Sequence, residues 1–397
     1  MSQAFDDDFN ALLEEFNQGE PENPYEEFSL LSNPFPGEGQ FILGICVDQD
    51  DVKDEFKRKL REFHLNNRST RLTIVGRTGA GKTTLLRFFE ERLSDWRNIN
   101  FFTVFVQMSK SGYLDVHPQI ISQLGALFYI KLFNAVRQKQ VDLTSLPADL
   151  SGISPELVHV LKKITSYQST QLSIFEAENG PNSLRNLDDW LQGRKLSAAD
   201  KKLLGNITVE VGKSSTVAIK FLTDLIRILR HAKLFSGLVI FLDEFEQIVS
   251  DVSGADRTRY AQDIRNLFDS LAEGIVFIIA TAPVADSLER VSPALNRRLG
   301  SGVSIEPIKS EELALEYAKA YMYRGREEFA RRKNRLIESI KFPKSLFMED
   351  HPFYPLTKST ILEVYNNLRE QQGADVVPGD FLPALNLRLY QRVYQQT

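Results

Sequence analysis

The stretch LTIVGRTGAGKTTLLRFF, Leu72 to Phe89, decides the fold. Gly76, Arg77, Thr78, Gly79, Ala80, Gly81, Lys82 and Thr83 fill the pattern G-x-x-x-x-G-K-[ST], with an apolar strand-like run before it and an amphipathic helix pattern after it. That context separates a phosphate loop from a chance glycine turn. The glycines let backbone N–H groups turn inward, and the following helix adds the positive end of its dipole. The predicted cradle runs from Gly76 through Thr84. Lys82 is placed to neutralise the outer phosphates, and the Thr83 hydroxyl to ligate Mg²⁺.

Outward from this loop, GLVIFLDEFE (237–246) is a buried-strand pattern ending in two acids. Asp243 is expected to hold the magnesium, and Glu244 to polarise an attacking water as general base. Glu246 and Gln247 are either water-orienting groups or solvent-facing ones. The next apolar run, GIVFIIATAP (274–283), ends in Thr281. Ligands of open α/β sheets lie beyond strand C-termini, so Thr281 is a candidate γ-phosphate sensor, or a hydroxyl capping its own turn. Beyond it, SPALNRRLGSG (292–302) carries the adjacent arginines Arg297 and Arg298.

Apolar runs alternate with helical patterns through LTIVG, INFFTVFVQ, GLVIFLD and GIVFIIATA. Such alternation predicts an α/β protein with a parallel sheet covered on both faces. Phe56, Leu60 and Phe63 predict an amphipathic helix over 52–65, and a second helix is expected over 118–138. Three regions are expected: an acidic, partly disordered leader (1–31), a core (32–310) interrupted by a helical insertion (142–216), and a C-terminal helical lid (311–397).

The 397 residues are 42% hydrophobic and 25% charged, as in ordinary soluble proteins. No run of about 18 apolar residues is present, so neither a membrane span nor a secretory signal is expected, and a cytoplasmic location follows. The one cysteine, Cys46, excludes internal disulfides and reads as a small core residue. Thirteen acids precede Lys53, the first basic residue; taking them from the 53 acids leaves 40 against 48 bases, a body of +8. The leader reads as a solubilising tail, a docking segment built on Phe5, Phe9, Leu12, Leu13 and Phe16, or a screen for a basic surface.

The order of P-loop, acidic strand, sensor strand, arginine-bearing loop and helical C-terminus resembles the AAA+ ATPases. The resemblance runs from about Asn33 to the C-terminus and is closest to the initiator-like branch, on the N-P-F segment and on PALNRRL followed by VSIEPI. The strings LDDWLQGRKL, GLVIFLDEFE and HPFYPLTKSTILEVY are also similar to BREX-type ATP-binding proteins of anti-phage defence. This resemblance implies ATP and Mg²⁺ as cofactors and a homo-oligomer in which Arg297 or Arg298 reaches the neighbour's γ-phosphate, Arg298 being preferred. It also implies a protein partner such as a nuclease or helicase. The chain departs from the family where a lid arginine is expected, since Gly379 follows Pro378; Arg388 and Arg392 are the substitutes at hand.

Three functions fit these residues. The first is an oligomeric ATPase coupling nucleotide state to DNA or a DNA-processing partner, with Arg324, Arg326, Arg331, Arg332, Lys333 and Arg335 as a sequence-independent DNA contact or a solvated helix face. The second is a slow-turnover switch or scaffold that assembles an effector complex. A small-molecule kinase is the third, for which no acceptor-binding signature is present.

Overall fold

The computed structural model describes residues 23–40, 42, 44–94, 101–166, 182–249, 254–334, 336–337, 348–373 and 375–394. Contacts divide the chain into two compact units, Gln49–Glu306 and Met1–Asp48 with Pro307–Thr397. The division differs from the sequence-based one because the segment before Asp48 buries its apolar side chains among the C-terminal helices.

In the larger unit, β1 (Thr70–Val75), β2 (Phe101–Gln107), β3 (Gly237–Asp243), β4 (Ile275–Thr281) and β5 (Val303–Ser304) form a parallel sheet in the order β2-β3-β4-β1-β5. β3 and β4 are buried at every position, as their unbroken apolar sequences require of strands covered on both faces. The sheet order puts Asp243, Thr281 and the loop after Val75 at one end, because parallel strands deliver all their C-termini to the same side.

Helix α1 (Asp50–Asn66) buries Val52, Phe56, Leu60 and Phe63, and stacks Phe56 on Phe89 of α2 (Lys82–Ser94) at 4.0 Å between ring centres. Asn67, left-handed, closes α1 by donating its N–H to Phe63 O. Helix α3 (Tyr113–Arg137) bends where Gly125 takes φ 69°. Its Gln123 side chain pairs with both the N–H and the C=O of Phe105 at 2.8 and 2.6 Å, so a side-chain amide satisfies edge strand β2 where another strand would add.

The inserted region carries α4 (Pro155–Ser166), α5 (Asn182–Leu191) and α6 (Ala198–Leu203), joined by turns and irregular segments among the described residues. Buried His117 of α3 bridges it to the core: one ring nitrogen meets Leu191 O at 2.8 Å and the other meets Tyr113 Oη at 3.2 Å. Burial pushes this imidazole down to about 4. Among the described residues the unit also contains α7 (Ser215–His231), α8 (Gly254–Ser270), α9 (Ala285–Val291) and α10 (Pro293–Leu299).

The smaller unit packs Leu30, Phe35 and Ile45 against α11 (Glu311–Arg332), α12 (Lys358–Gln372) and α13 (Pro378–Tyr394). Asn33 donates to Asn386 O at 2.8 Å, and Asn386 donates to Phe35 O at 2.5 Å. The last part of the expected leader is therefore structured: Tyr25, Phe28 and Leu30 are buried, their apolar area outweighing the surrounding acids. Phe5, Phe9, Leu12, Leu13 and Phe16 lie outside the described residues. Cys46 is half-buried instead of sealed in a core.

The basic run is not one solvated face. Arg326 is buried and donates to the carbonyls of His351, Pro352 and Tyr354, and burial lowers its guanidinium to about 10. Arg324 pairs with Glu327 and Lys333 with Glu26, Arg331 and Arg332 are exposed, and Arg335 lies outside the described residues. Among the described residues no helix is long and apolar enough to cross a membrane.

Candidate functional site

The loop between β1 and α2 turns on Gly79 and Gly81 at φ 79° and 94°, values that a side chain makes costly. Lys82 opens α2, is buried, and its Nζ donates to Gly76 O at 2.7 Å and Arg77 O at 3.2 Å. The ammonium is thus folded over the start of the loop its own helix follows. One residue on, Thr83 Oγ1 donates to Asp243 Oδ2 at 2.7 Å. This bond joins groups 160 positions apart, one at a helix N-terminus and one at a buried strand's end.

Asp243 is 5% exposed, and burial raises its carboxyl above the usual carboxylate range, opposed by the bonds from Thr83 and from the Glu244 N–H. Its other oxygen accepts that N–H at 3.0 Å. Glu244 takes a left-handed conformation at φ 54° and ψ 41°, which costs a non-glycine residue roughly 1–2 kcal/mol. It sits at the mouth of a 3₁₀ turn (Phe245–Ile248) anchored by buried Phe245 and Ile248. Glu244 itself is half-buried.

Thr281 is opposite Val75 in the β1–β4 register and 4% exposed. Its hydroxyl donates to Ala282 O at 3.0 Å, the local bond expected of a turn-capping threonine. Its carbonyl accepts the Gly76 N–H at 3.0 Å, so β4 holds the first residue of the glycine-rich loop. Sequence reasoning left Glu246 between solvent and the attacking water. The structure places its carboxylate on the Ala282 N–H at 2.9 Å. Nothing in the linear spacing of 36 residues signals that contact.

The sheet order with this loop and the acid at the end of β3 is an α/β P-loop NTPase fold. Residues 158–303 match the family of the BREX system ATP-binding protein BrxC/D. The chain is similar to that family. No curated protein sequence matches it. Similar solved structures include the Aeropyrum pernix ORC2 protein in its ADPNP–ADP complexes, at 12% identity and TM-score 0.42, over 89% of this chain and 72% of that one. The Aeropyrum pernix ORC1 protein in complex with DNA follows at 11% and 0.40, over 94% and 68%. Cdc6p from Pyrobaculum aerophilum gives 12% and 0.36, over 90% and 97%.

The BrxC/D-like segment contains Asp243, Glu244, Thr281, Arg297 and Arg298, while Gly76–Thr84 precede it. Arg297 and Arg298 differ sharply. Arg298 is clamped within the chain: Nε and a terminal nitrogen meet both oxygens of Asp269 at 2.6 and 2.7 Å, and a third N–H reaches Ala294 O. Arg297, one position along α10, is exposed and makes a long 3.4 Å contact to Pro293 O. Asp269, 29 residues away in sequence, thus engages the guanidinium fork of Arg298, the arginine preferred from the sequence as the outward-reaching group. In the C-terminal unit Arg388 donates to Glu363 at 3.2 Å.

Proposed function

We propose that the chain is an oligomeric ATPase of the AAA+ type acting in a BREX-like antiviral defence system, where it couples nucleotide state to DNA or to a DNA-processing partner such as a nuclease or helicase. Gly76–Thr84 cradle the phosphates of ATP, Lys82 swings from its carbonyl partners onto the outer phosphates, and Glu244 draws a proton from the attacking water. Thr281 lines the same end of the sheet as the γ-phosphate sensor, its hydroxyl exchanging a local acceptor for a phosphate oxygen.

The observation that carries this reading is the Thr83–Asp243 bond of 2.7 Å, which assembles the two halves of the nucleotide site. It also supports Mg²⁺, because a hydroxyl and a carboxylate are hard oxygen donors, and this ion takes one or two protein oxygens, with water and phosphate completing the shell. Asp243, raised by burial, gains its ionised form beside a cation. When bound, the ion neutralises charge developing on the phosphate oxygens.

Arg297 is the arginine offered to a neighbouring copy, since its guanidinium is exposed where that of Arg298 is paired. A guanidinium arriving from outside stabilises charge that develops only in the transition state.

The test is phosphate release by the full chain with ATP and Mg²⁺, with and without double-stranded DNA, beside mass by light scattering. Magnesium-dependent turnover with an ATP-dependent rise in mass is expected. A chain that neither binds nor hydrolyses ATP overturns the ATPase reading, and a monomer turning over at full rate overturns the shared site.

A further inference from the structure

The peptide group between Thr281 and Ala282 is bonded on both sides. Its C=O accepts the N–H of Gly76, the first residue of the phosphate loop, and its N–H donates to Glu246 Oε2 at 2.9 Å. One planar unit at the end of β4 therefore links the loop after β1 to the turn after β3. That turn follows Glu244, which is left-handed, and it includes bonds from Gln247 N–H to Glu244 O and from Val249 N–H to Glu246 O. A strained conformation persists only where its surroundings over-determine it.

We infer that Glu246 is a positioning residue for the hydrolytic reaction: by accepting the Ala282 N–H it locks the 3₁₀ turn against the end of β4 and so fixes Glu244 relative to the phosphate loop. It acts as an acceptor at a set reach, not as a proton carrier. Only the turnover part of this inference rests on the ATPase reading; the lock itself is a property of the fold.

Three variants separate reach, charge and packing. Glu246→Gln keeps an oxygen acceptor at the same length, Glu246→Asp keeps the charge one methylene short, and Glu246→Ala removes both. Hydrogen–deuterium exchange of the peptides covering 245–249 and 275–285 reads the lock without any substrate. Exchange at Ala282 is expected to speed up by about 10-fold in the Asp and Ala variants and to match the parent in Gln. In turnover, Glu246→Asp and Glu246→Ala are expected to lose about 10-fold in kcat with KM for ATP within about 2-fold, and Gln to recover to within about 3-fold of the parent. The inference fails if Gln exchanges or turns over as Ala does, which would make the charge the active feature, or if Ala behaves as the parent. A parent chain without ATPase activity sinks the function above and leaves the exchange result to decide the lock. If Ala does not fold, the Gln–Asp pair decides alone.

Discussion

The phosphate end of the sheet and helix α10 are built to opposite rules. At the first, groups assigned to the nucleotide are held by bonds within the fold: Lys82 by the carbonyls of Gly76 and Arg77 in its own loop, Thr83 by the carboxylate of distant Asp243, Gly76 by the end of β4. Along α10 one arginine is spent internally on Asp269 and its neighbour is left to solvent. The difference teaches that preorganisation and availability are separate requirements. A cradle must be rigid before its ligand arrives, whereas a group meant for another molecule must not be satisfied at home.

The sharpest way to break this contrast is Glu244→Gln. It should lower kcat on the order of 10³–10⁴-fold with ATP still bound, read by single-turnover phosphate release beside nucleotide retention on filters. Retained turnover would remove Glu244 from its role. Next in size, Arg297→Ala should cost about 10³-fold in turnover without loss of thermal stability. Mixing it with Glu244→Gln should restore activity, because each copy lends the other its intact half; if mixing restores nothing, the arginine does not act across copies.

His117 offers a smaller test of the buried side of the comparison. Its folded value of about 4 lies below the ordinary 6.5, so the unfolded chain binds the extra proton between those limits. Stability from this group is complete above pH 6.5 and drains away as pH falls toward 4, by at most about 3 kcal/mol. Urea midpoints should fall more steeply from pH 7 to 5 in the parent than in His117→Asn. Equal slopes would mean that the ring takes up its proton without loss of burial. Smallest of all, Arg298→Ala should cost no more than about 1 kcal/mol, since both partners of the Asp269 pair are partly exposed and salt screens them. A thermal shift with turnover within a few-fold is expected, and a collapse of turnover as deep as that of Arg297→Ala would return Arg298 to the outward role.

Much of the site was legible along the chain because its chemistry is local. Eight residues around Gly76 dictate the loop, and an apolar run can end in Asp243 and Glu244 only by delivering acids to a strand's C-terminus. What was not legible depended on pairs without periodicity. Asp269 pairs with Arg298 from 29 residues away, and Glu246 finds the Ala282 amide at the end of the neighbouring strand. Arg326 looked like one more charge in a basic run until the backbone carbonyls after His351 closed around it. The buried Tyr25, Phe28 and Leu30 were hidden by the acids beside them, since charge dominates a composition while apolar area dominates a packing energy.

By itself the sequence determined that a glycine-rich loop follows a strand at Gly76–Thr83, that Asp243 ends a buried strand with Glu244 next to it, and that a parallel sheet carries both, because glycine spacing and unbroken apolar runs restrict the backbone locally. Only the tertiary structure decided which arginine is free, what Glu246 holds and where the segment before Asp48 packs. Those outcomes turn on which donor meets which acceptor when distant strands and helices are brought within about 3 Å, a distance that no spacing along the chain encodes.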